Sequence, residues 1–407
     1  VPLQSNQGVG SAAIFAFDPM NIKIIFKVFF MCIARLLLNN AILFSFSLFC
    51  LTLSASVLAQ EQTGELKAEL SKQPIEETCS AKPGIRELNN YPEVFNLYYE
   101  NDLFAGTDNN YTSGAKLSWV SANLADYIND PCLPKWVRQL NRFSQILQPG
   151  AFDTRNMVVS IGQSMYTPTD KYRSDLITED RPYAGWLYLG FAYNARTERE
   201  MDTVEIDIGM VGPASLAQKT QNTIHDWRGI DRFNGWDNQL NNELGIQFVK
   251  ERKNKVFVIS KADAPKVDVI THYGFSLGNV KTYLNAGLEM RIGTFLPDDF
   301  GSSPIRPASD SNAPLPLIAA RRLSGGGIHT FVAVDARVVA HNIFLDGNTF
   351  SDSHSVAKEY LVGDVSAGIA YQWAGGKITY AQYWRSKEFR QQKDGQSFGS
   401  ITLSLEY

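Results

Sequence analysis

Past residue 60 the chain lacks any apolar run near the roughly 20 residues that a membrane-spanning helix needs. That excludes a helical bundle in a bilayer downstream of residue 60. It leaves open a barrel, whose strands are shorter and alternate. Histidine and cysteine are scarce, with 5 and 4 in 407 residues. No His-Glu-x-x-His or Cys-x-x-Cys spacing occurs, which argues against a tetrahedral zinc centre. No Gly-x-Ser-x-Gly elbow occurs, which counts against a serine hydrolase of the hydrolase-fold type. Charge of one sign is also lacking. The net −4 is mild, and no basic patch points to nucleic acid.

Residues 1–59 read as an upstream extension and a secretory leader, with Met20 or Met31 as the start. Arg35 supplies the positive n-region, residues 41–53 the apolar run, and Val57-Leu58-Ala59 an Ala-x-Ala-like cleavage site before Gln60. A retained membrane anchor is the alternative, but the run is short for one. The bulky Phe49 before Cys50 argues against lipoprotein processing. Export implies an oxidising compartment. Cys32 and Cys50 leave with the leader, so Cys79 and Cys132 remain, and an even pair suggests one disulfide. Residues 60–92 then form a periplasmic N-terminal segment, and 93–407 the folded body.

That body alternates. In 94–102, Phe95, Leu97 and Tyr99 take one face, and Asn96, Tyr98, Glu100 and Asp102 the other. Val204, Ile206 and Ile208 alternate with Thr203, Glu205 and Asp207. Leu284, Leu288, Met290 and Ile292 alternate with Asn285, Glu289 and Arg291, and the C-terminus repeats the pattern through Leu403 and Leu405. Period two is the signature of strands with one apolar and one polar face. A soluble sandwich would alternate too. Aromatic residues near strand ends (Tyr98, Tyr99, Trp119, Trp186, Tyr188, Tyr383, Trp384) read as interfacial girdles, and the chain ends on an aromatic, Tyr407. The expected fold is all-β: a transmembrane antiparallel barrel of about twelve strands, counted from 93–103 to 397–407, with a short helix in an extracellular connection and both termini on the periplasmic side. Connections near 103–110, 166–183, 212–240 and 342–355 then fall outside the cell. The stretches 123–154 and 293–325 fall on the periplasmic side.

The outer connections hold the unusual polar residues. Asn101-Asp102 ends one strand and Tyr111-Thr112-Ser113-Gly114 opens the next. Such a corner is ordinarily a hairpin turn. At a barrel mouth its oxygens, including Asp102 and Thr112, are candidate ligands for a hard cation such as calcium. Pro213 suits a first helical turn, and a short helix is expected over about 214–227. On it Gln218, Gln221 and His225 share a face, and a neutral imidazole is the usual general base for activating water. A lone loop histidine is otherwise simply solvated. Lys171 and Arg181 lie where phosphorylated lipid lines the leaflet, and phosphate binding competes with a plain solvated-charge reading.

At these residues the chain resembles the lipid A 3′-O-deacylase family of Gram-negative outer membranes. The matching blocks are Asn101-Asp102 with Tyr111-Thr112-x-Gly114, Tyr166-Thr167-Pro168, and Asp180-Arg181-Pro182-Tyr183-Ala184-Gly185-Trp186. Gly212-Pro213-Ala214-Ser215, Gln221-x-x-x-His225, Gly235-Trp236-Asp237-x-Gln239 and Leu345-Asp346-Gly347-Asn348 follow in order, covering nearly the whole mature chain. The resemblance implies a monomeric twelve-stranded barrel with its site at the outer end. It implies a calcium-dependent esterase that removes the 3′-O-linked acyloxyacyl chain of lipid A in lipopolysaccharide. By position His225 matches the general base, Asn101 and Asp102 the essential pair, Thr112 a site hydroxyl, Gln221 a site amide and Lys171 a substrate contact; Asp231 falls near an acidic site position. Two alternatives stand beside it: an outer-membrane phospholipase, for which Ser113 is the candidate nucleophile, and a non-enzymatic porin-like barrel. The leader reading expects Gln60 as the first residue of outer-membrane material, and terminal sequencing that finds residues upstream of Ala59 there refutes it.

Overall fold

The computed structural model describes residues 93–102, 110–124, 128, 135–259, 265–302, 305, 310 and 326–406. Cys79 and Cys132, the leader and residues 60–92 lie outside them, and so does the expected disulfide. Twelve strands run in order: β1 (Val94–Asn101), β2 (Asn110–Val120), β3 (Thr154–Thr167), β4 (Ala184–Arg196), β5 (Glu200–Val211) and β6 (Glu243–Ile259). They continue through β7 (Lys266–Gly278), β8 (Lys281–Gly293), β9 (Gly327–Asn342), β10 (Leu361–Trp373), β11 (Gly376–Arg385) and β12 (Gln396–Glu406). Each pairs antiparallel with its chain neighbour, and β1 closes on β12 with Val94 opposite Glu406 and Asn101 opposite Gly399. Closure leaves no strand edge, the condition for a sheet to cross hydrocarbon. Among the described residues no helix is long and apolar enough to do so.

The expected parity holds, with the apolar face outward. Ile206, Ile208, Leu284, Leu288, Met290 and Ile292 are exposed on the barrel wall, while Glu205, Asp207, Asn285, Glu289 and Arg291 are buried in the lumen. The aromatic girdle needs correction. Trp384 is exposed, but Tyr98, Trp186, Tyr188 and Tyr383 are buried. Their places in the alternation turn them inward, where Trp186 stacks on Tyr188 and Tyr383 on Phe398.

The β8–β9 connection, expected on the periplasmic side, departs further. Asp299, Ile305 and Asp310 of this connection turn into the lumen. Asp310 accepts from Tyr98 Oη at 2.9 Å and from Lys116 Nζ at 2.6 Å, and Ser118 Oγ donates to it as well. Asp299 pairs with Arg291 and, at 2.6 Å, with Lys377. The backbone N–H of Ile305 reaches Glu100 Oε1 at 2.6 Å. The reason is electrostatic. Strand positions that face inward carry Lys116, Arg291 and Lys377, and a buried cation must be paired or it destabilises the fold. The connection brings the carboxylates.

Short helices lie at both ends of the barrel. α1 (Lys135–Leu140) and α2 (Arg142–Leu147) belong to the β2–β3 connection at one end, and α3 (Ala217–Arg228) and α4 (Ile343–Asp346) to the β5–β6 and β9–β10 connections at the other. Ile343 and Phe344 of α4 join Tyr111, Tyr166, Trp186, Tyr188, Tyr383 and Phe398 in one apolar layer. Asp310→Ala should remove the carboxylate that pairs with buried Lys116 at 2.6 Å, with Glu205 farther off at 3.9 Å, and cost about 3–5 kcal/mol. Adding Lys116→Met should restore most of it. Unfolding in denaturant measures this, and a double variant no better than the single one refutes the pairing account.

Candidate active site

The local sequence explains how the β5–β6 connection is built. The expected helix over 214–227 is split. Pro213–Ser215 forms a 3-10 turn with Pro213 at its start, Leu216 takes a left-handed conformation (φ 60°), and α3 follows from Ala217 to Arg228. Ser215 Oγ donates to Gly212 O at 2.6 Å, and Gln163 Nε2 donates to Ser215 O at 2.6 Å, which pins the break to β3. Gly185 of β4 lets α3 approach. A Cβ there would lie 2.2 Å from Ala217 Cβ and from Ser215 Oγ. Met165, Tyr183, Ala217, Phe233 and Trp236 pack together as the seat of the helix.

Gln221 and His225 point into this seat and are buried. Trp236 Nε1 donates to Gln221 Oε1 at 2.7 Å. An indole nitrogen can only donate, so the amide is oriented with its oxygen toward Trp236. Gln221 Nε2 then faces away, buried and without a partner among the described residues. His225 Nδ1 lies 2.7 Å from the carbonyl oxygen of Asp231. A carbonyl can only accept, so Nδ1 carries the proton and Nε2 keeps its lone pair in the neutral ring. Phe233 meets the imidazole edge-on at 5.7 Å between ring centroids. One helix face thus presents an oriented base and an oriented donor.

The loops around this face are tied to one another. Asn234 N donates to Lys171 O at 2.9 Å, and Tyr172 Oη donates to Asp231 Oδ2 at 3.1 Å. Lys171 therefore stands beside the segment that holds His225, with its ammonium 5.6 Å from the Tyr172 ring centre. Asp231 enters through its backbone carbonyl, while its carboxylate is exposed.

Asn101 and Asp102 are buried at the end of β1. The Tyr99 hydroxyl, two residues earlier, is within electrostatic reach of both Asp102 and Arg228, the last residue of α3. The C-terminal turn of α3 thus shares a lip with the Asn101-Asp102 corner. Asn101 faces Ser113 across the β1–β2 ladder. Thr112 is the extra residue of a bulge, since β2 pairs with β3 at Tyr111 and then at Ser113. Strict alternation, which would put Asp102 and Thr112 on one face, stops at that bulge. Calcium takes carboxylate, hydroxyl and carbonyl oxygens. Among the described residues no three of His, Cys, Asp and Glu gather as a metal site. Among the described residues the corner offers one buried carboxylate, that of Asp102.

Arg181 lies elsewhere. It is fully buried, its Nη1 3.2 Å from Glu388 Oε2 and its guanidinium 4.9 Å from the Tyr166 ring centre. It faces inward, away from the loop surface where a headgroup contact was expected. Glu388 in the β11–β12 connection was not singled out from the sequence, because an isolated loop glutamate carries no local signal. Burial alone would raise its carboxyl, yet Arg181 and Arg385 hold it down at about 2. Ser113, the candidate nucleophile, donates to Glu100 O at 3.1 Å.

A family model described as outer membrane protein LpxR matches residues 44–407. Among solved structures, LpxR from Salmonella typhimurium aligns over 77% of this chain and 100% of its own, at 18% identity and a TM-score of 0.61. The β-domain of the Bordetella autotransporter BrkA covers 78% of this chain and 99% of its own, at 7% identity and a TM-score of 0.37. No curated protein matches. Because Glu388 titrates low in the fold, its ion pairs contribute stability fully above its unfolded value of about 4.5. That contribution is lost as pH falls toward 2. Glu388→Gln should flatten acid unfolding across this window relative to the parent, and identical acid profiles would count against the pairing.

Proposed function

The chain belongs to the outer membrane protein LpxR family, and from that membership we propose that it is a lipid A 3′-O-deacylase with its site at the extracellular end of the barrel. The protein is an outer-membrane β-barrel. The observation that carries the activity is His225, whose Nδ1 is tied to the Asp231 carbonyl so that Nε2 is the basic nitrogen. His225 Nε2 takes a proton from water, whose oxygen adds to the ester carbonyl carbon. The carbon–oxygen bond to the sugar then breaks. The proton passes from Nε2 to the leaving sugar oxygen, releasing the acyloxyacyl chain as a free acid. Gln221 Nε2, oriented by Trp236, donates toward the oxygen that becomes negative, where a preorganised donor is most effective. Lys171 meets the phosphorylated part of lipopolysaccharide. Asp102, with oxygens of Thr112 and the corner backbone, would hold calcium, which when bound polarises the ester carbonyl. Asn101 orients the corner.

The phospholipase alternative needs a nucleophile beside the base. Ser113 instead spends its hydroxyl on the Glu100 carbonyl. The porin alternative needs an open lumen, but Asp299 and Asp310 and the layer of Tyr166, Phe344 and Tyr383 occupy it.

His225→Ala and Asp102→Ala should each abolish deacylation in cells whose lipid A is read by mass spectrometry, while both variants still fold and reach the outer membrane. EGTA should silence the wild type, with calcium restoring activity and magnesium doing so poorly, because magnesium demands tighter octahedral geometry. Full activity in EGTA rules out the calcium role, and a His225→Ala enzyme that still removes the 3′-linked chain rules out the base.

A further inference from the structure

Arg181 has more hydrogen-bonding capacity than its neighbours use. Its Nη1 meets Glu388, while Nε and Nη2 have no partner among the described residues although the side chain is 0% exposed. Those two groups form the edge of the guanidinium that matches two oxygens of one anion. At two other buried arginines of this barrel the same edge is taken by a carboxylate. Arg385 Nε and Nη2 hold Asp364 at 2.8 and 3.0 Å. Arg291 Nε and Nη2 hold Asp268 at 2.8 and 2.6 Å. At Arg181 no described side chain takes it.

The surroundings are cationic. Lys281 at the start of β8 donates to Tyr166 Oη at 3.2 Å and lies 5.5 Å from the centre of the same Tyr166 ring that Arg181 covers at 4.9 Å. Among the described residues Lys281 has no ion-paired carboxylate. Arg181, Arg337, Arg385 and Glu388 are all within its electrostatic reach. Against Arg181, Lys281, Arg337 and Arg385 stand Glu388, Asp364, Asp335 and, beyond Tyr111, Glu100. Asp335 is divided between Arg337 at 3.2 Å and His272 at 2.8 Å. A further donor faces the same region: Gln392 Oε1 accepts from Glu388 N at 2.7 Å, and its buried Nε2 has no partner. A guanidinium edge buried without a partner among the described residues is stabilised by an anion that takes both of its donors.

We infer that the inner side of the Tyr166 layer, between Arg181 and Lys281, is a phosphate-binding site, with two phosphate oxygens on Arg181 Nε and Nη2 and the charge balanced by Lys281. This places a second anion-recognising site inside the lip, separate from the Lys171 loop and from the His225 face. The phosphate is either a free ion or the headgroup of a lipid reaching in from the loop end.

The test uses the full barrel in dodecyl maltoside. Its unfolding temperature is read as loss of the fast-migrating, heat-modifiable band while inorganic phosphate or chloride is titrated at matched ionic strength. A ligand that binds the folded form raises this temperature saturably. Phosphate should do so and chloride should not. Arg181→Lys keeps the charge but loses the two-pronged edge, and Lys281→Met loses the balancing charge. Each should weaken the phosphate response by about tenfold or more, as expected for a charge-assisted contact. Lys281→Met carries the test if Arg181→Lys does not fold. Water-soluble short-chain phosphatidic acid separates the two sources. A much tighter response to it than to phosphate assigns a lipid headgroup, and an equal response assigns the free ion. Equal stabilisation by chloride, no saturable response to phosphate, or an unaltered response in Lys281→Met overturns the site.

Discussion

Closure of β1 on β12 is the constraint on which the other features depend. In hydrocarbon an unpaired backbone group costs several kcal/mol, so the sheet must meet itself. Once it does, the alternation has one inside and one outside, and every strand position is committed to lipid or to lumen. The inside is then too narrow to be indifferent to what fills it. Lys116, Arg291 and Lys377 point inward because their parity requires it, and the β8–β9 connection supplies Asp299 and Asp310 against them. The same closure gives the loop end a rigid rim. Gly185 and Met165 on that rim seat α3, so the placement of His225 follows from strand pairing as much as from the helix itself.

The barrel was legible because period two is a local signal. The parity of Ile206 against Glu205 can be read from six residues, and it holds in the fold. The girdle reading failed where residue type was used without parity: Trp186 and Tyr383 look like interface anchors, yet each sits at an inward position. The inward turn of the β8–β9 connection was not legible, because its cause is non-local. Asp310 meets Tyr98 and Lys116, partners some two hundred residues away in the chain. Nothing near Asp310 in the sequence announces them.

The candidate site was legible in a different way. The spacing of Gln221 and His225 predicts a shared helix face, and the structure describes such a face, buried. What orients the two groups was hidden. The Asp231 carbonyl is a backbone atom, and no residue type encodes it. Trp236 reads from sequence as part of a motif, and its hydrogen bond to Gln221 gives that motif a physical cause. Arg181 shows the converse. Its position between two loop residues suggested a solvated charge or a headgroup contact, but Asp180 caps its backbone N–H at 2.7 Å and the side chain turns inward to Glu388.

These placements separate the lip into two chemically distinct halves. On the α3 side, the buried groups of the helix face are an imidazole tied to a carbonyl and an amide tied to an indole, with the Asp102 carboxylate at the end of β1. A developing negative oxygen there would meet a donor already aligned by its own hydrogen bond. On the Glu388 side, the guanidinium groups of Arg181 and Arg385 and the ammonium of Lys281 contact the aromatic layer. Tyr166 belongs to both halves, packing under Phe344 at 4.2 Å while contacting Arg181 and Lys281. Met165, the residue before Tyr166 on β3, packs in the seat of α3, so the two halves meet along one strand.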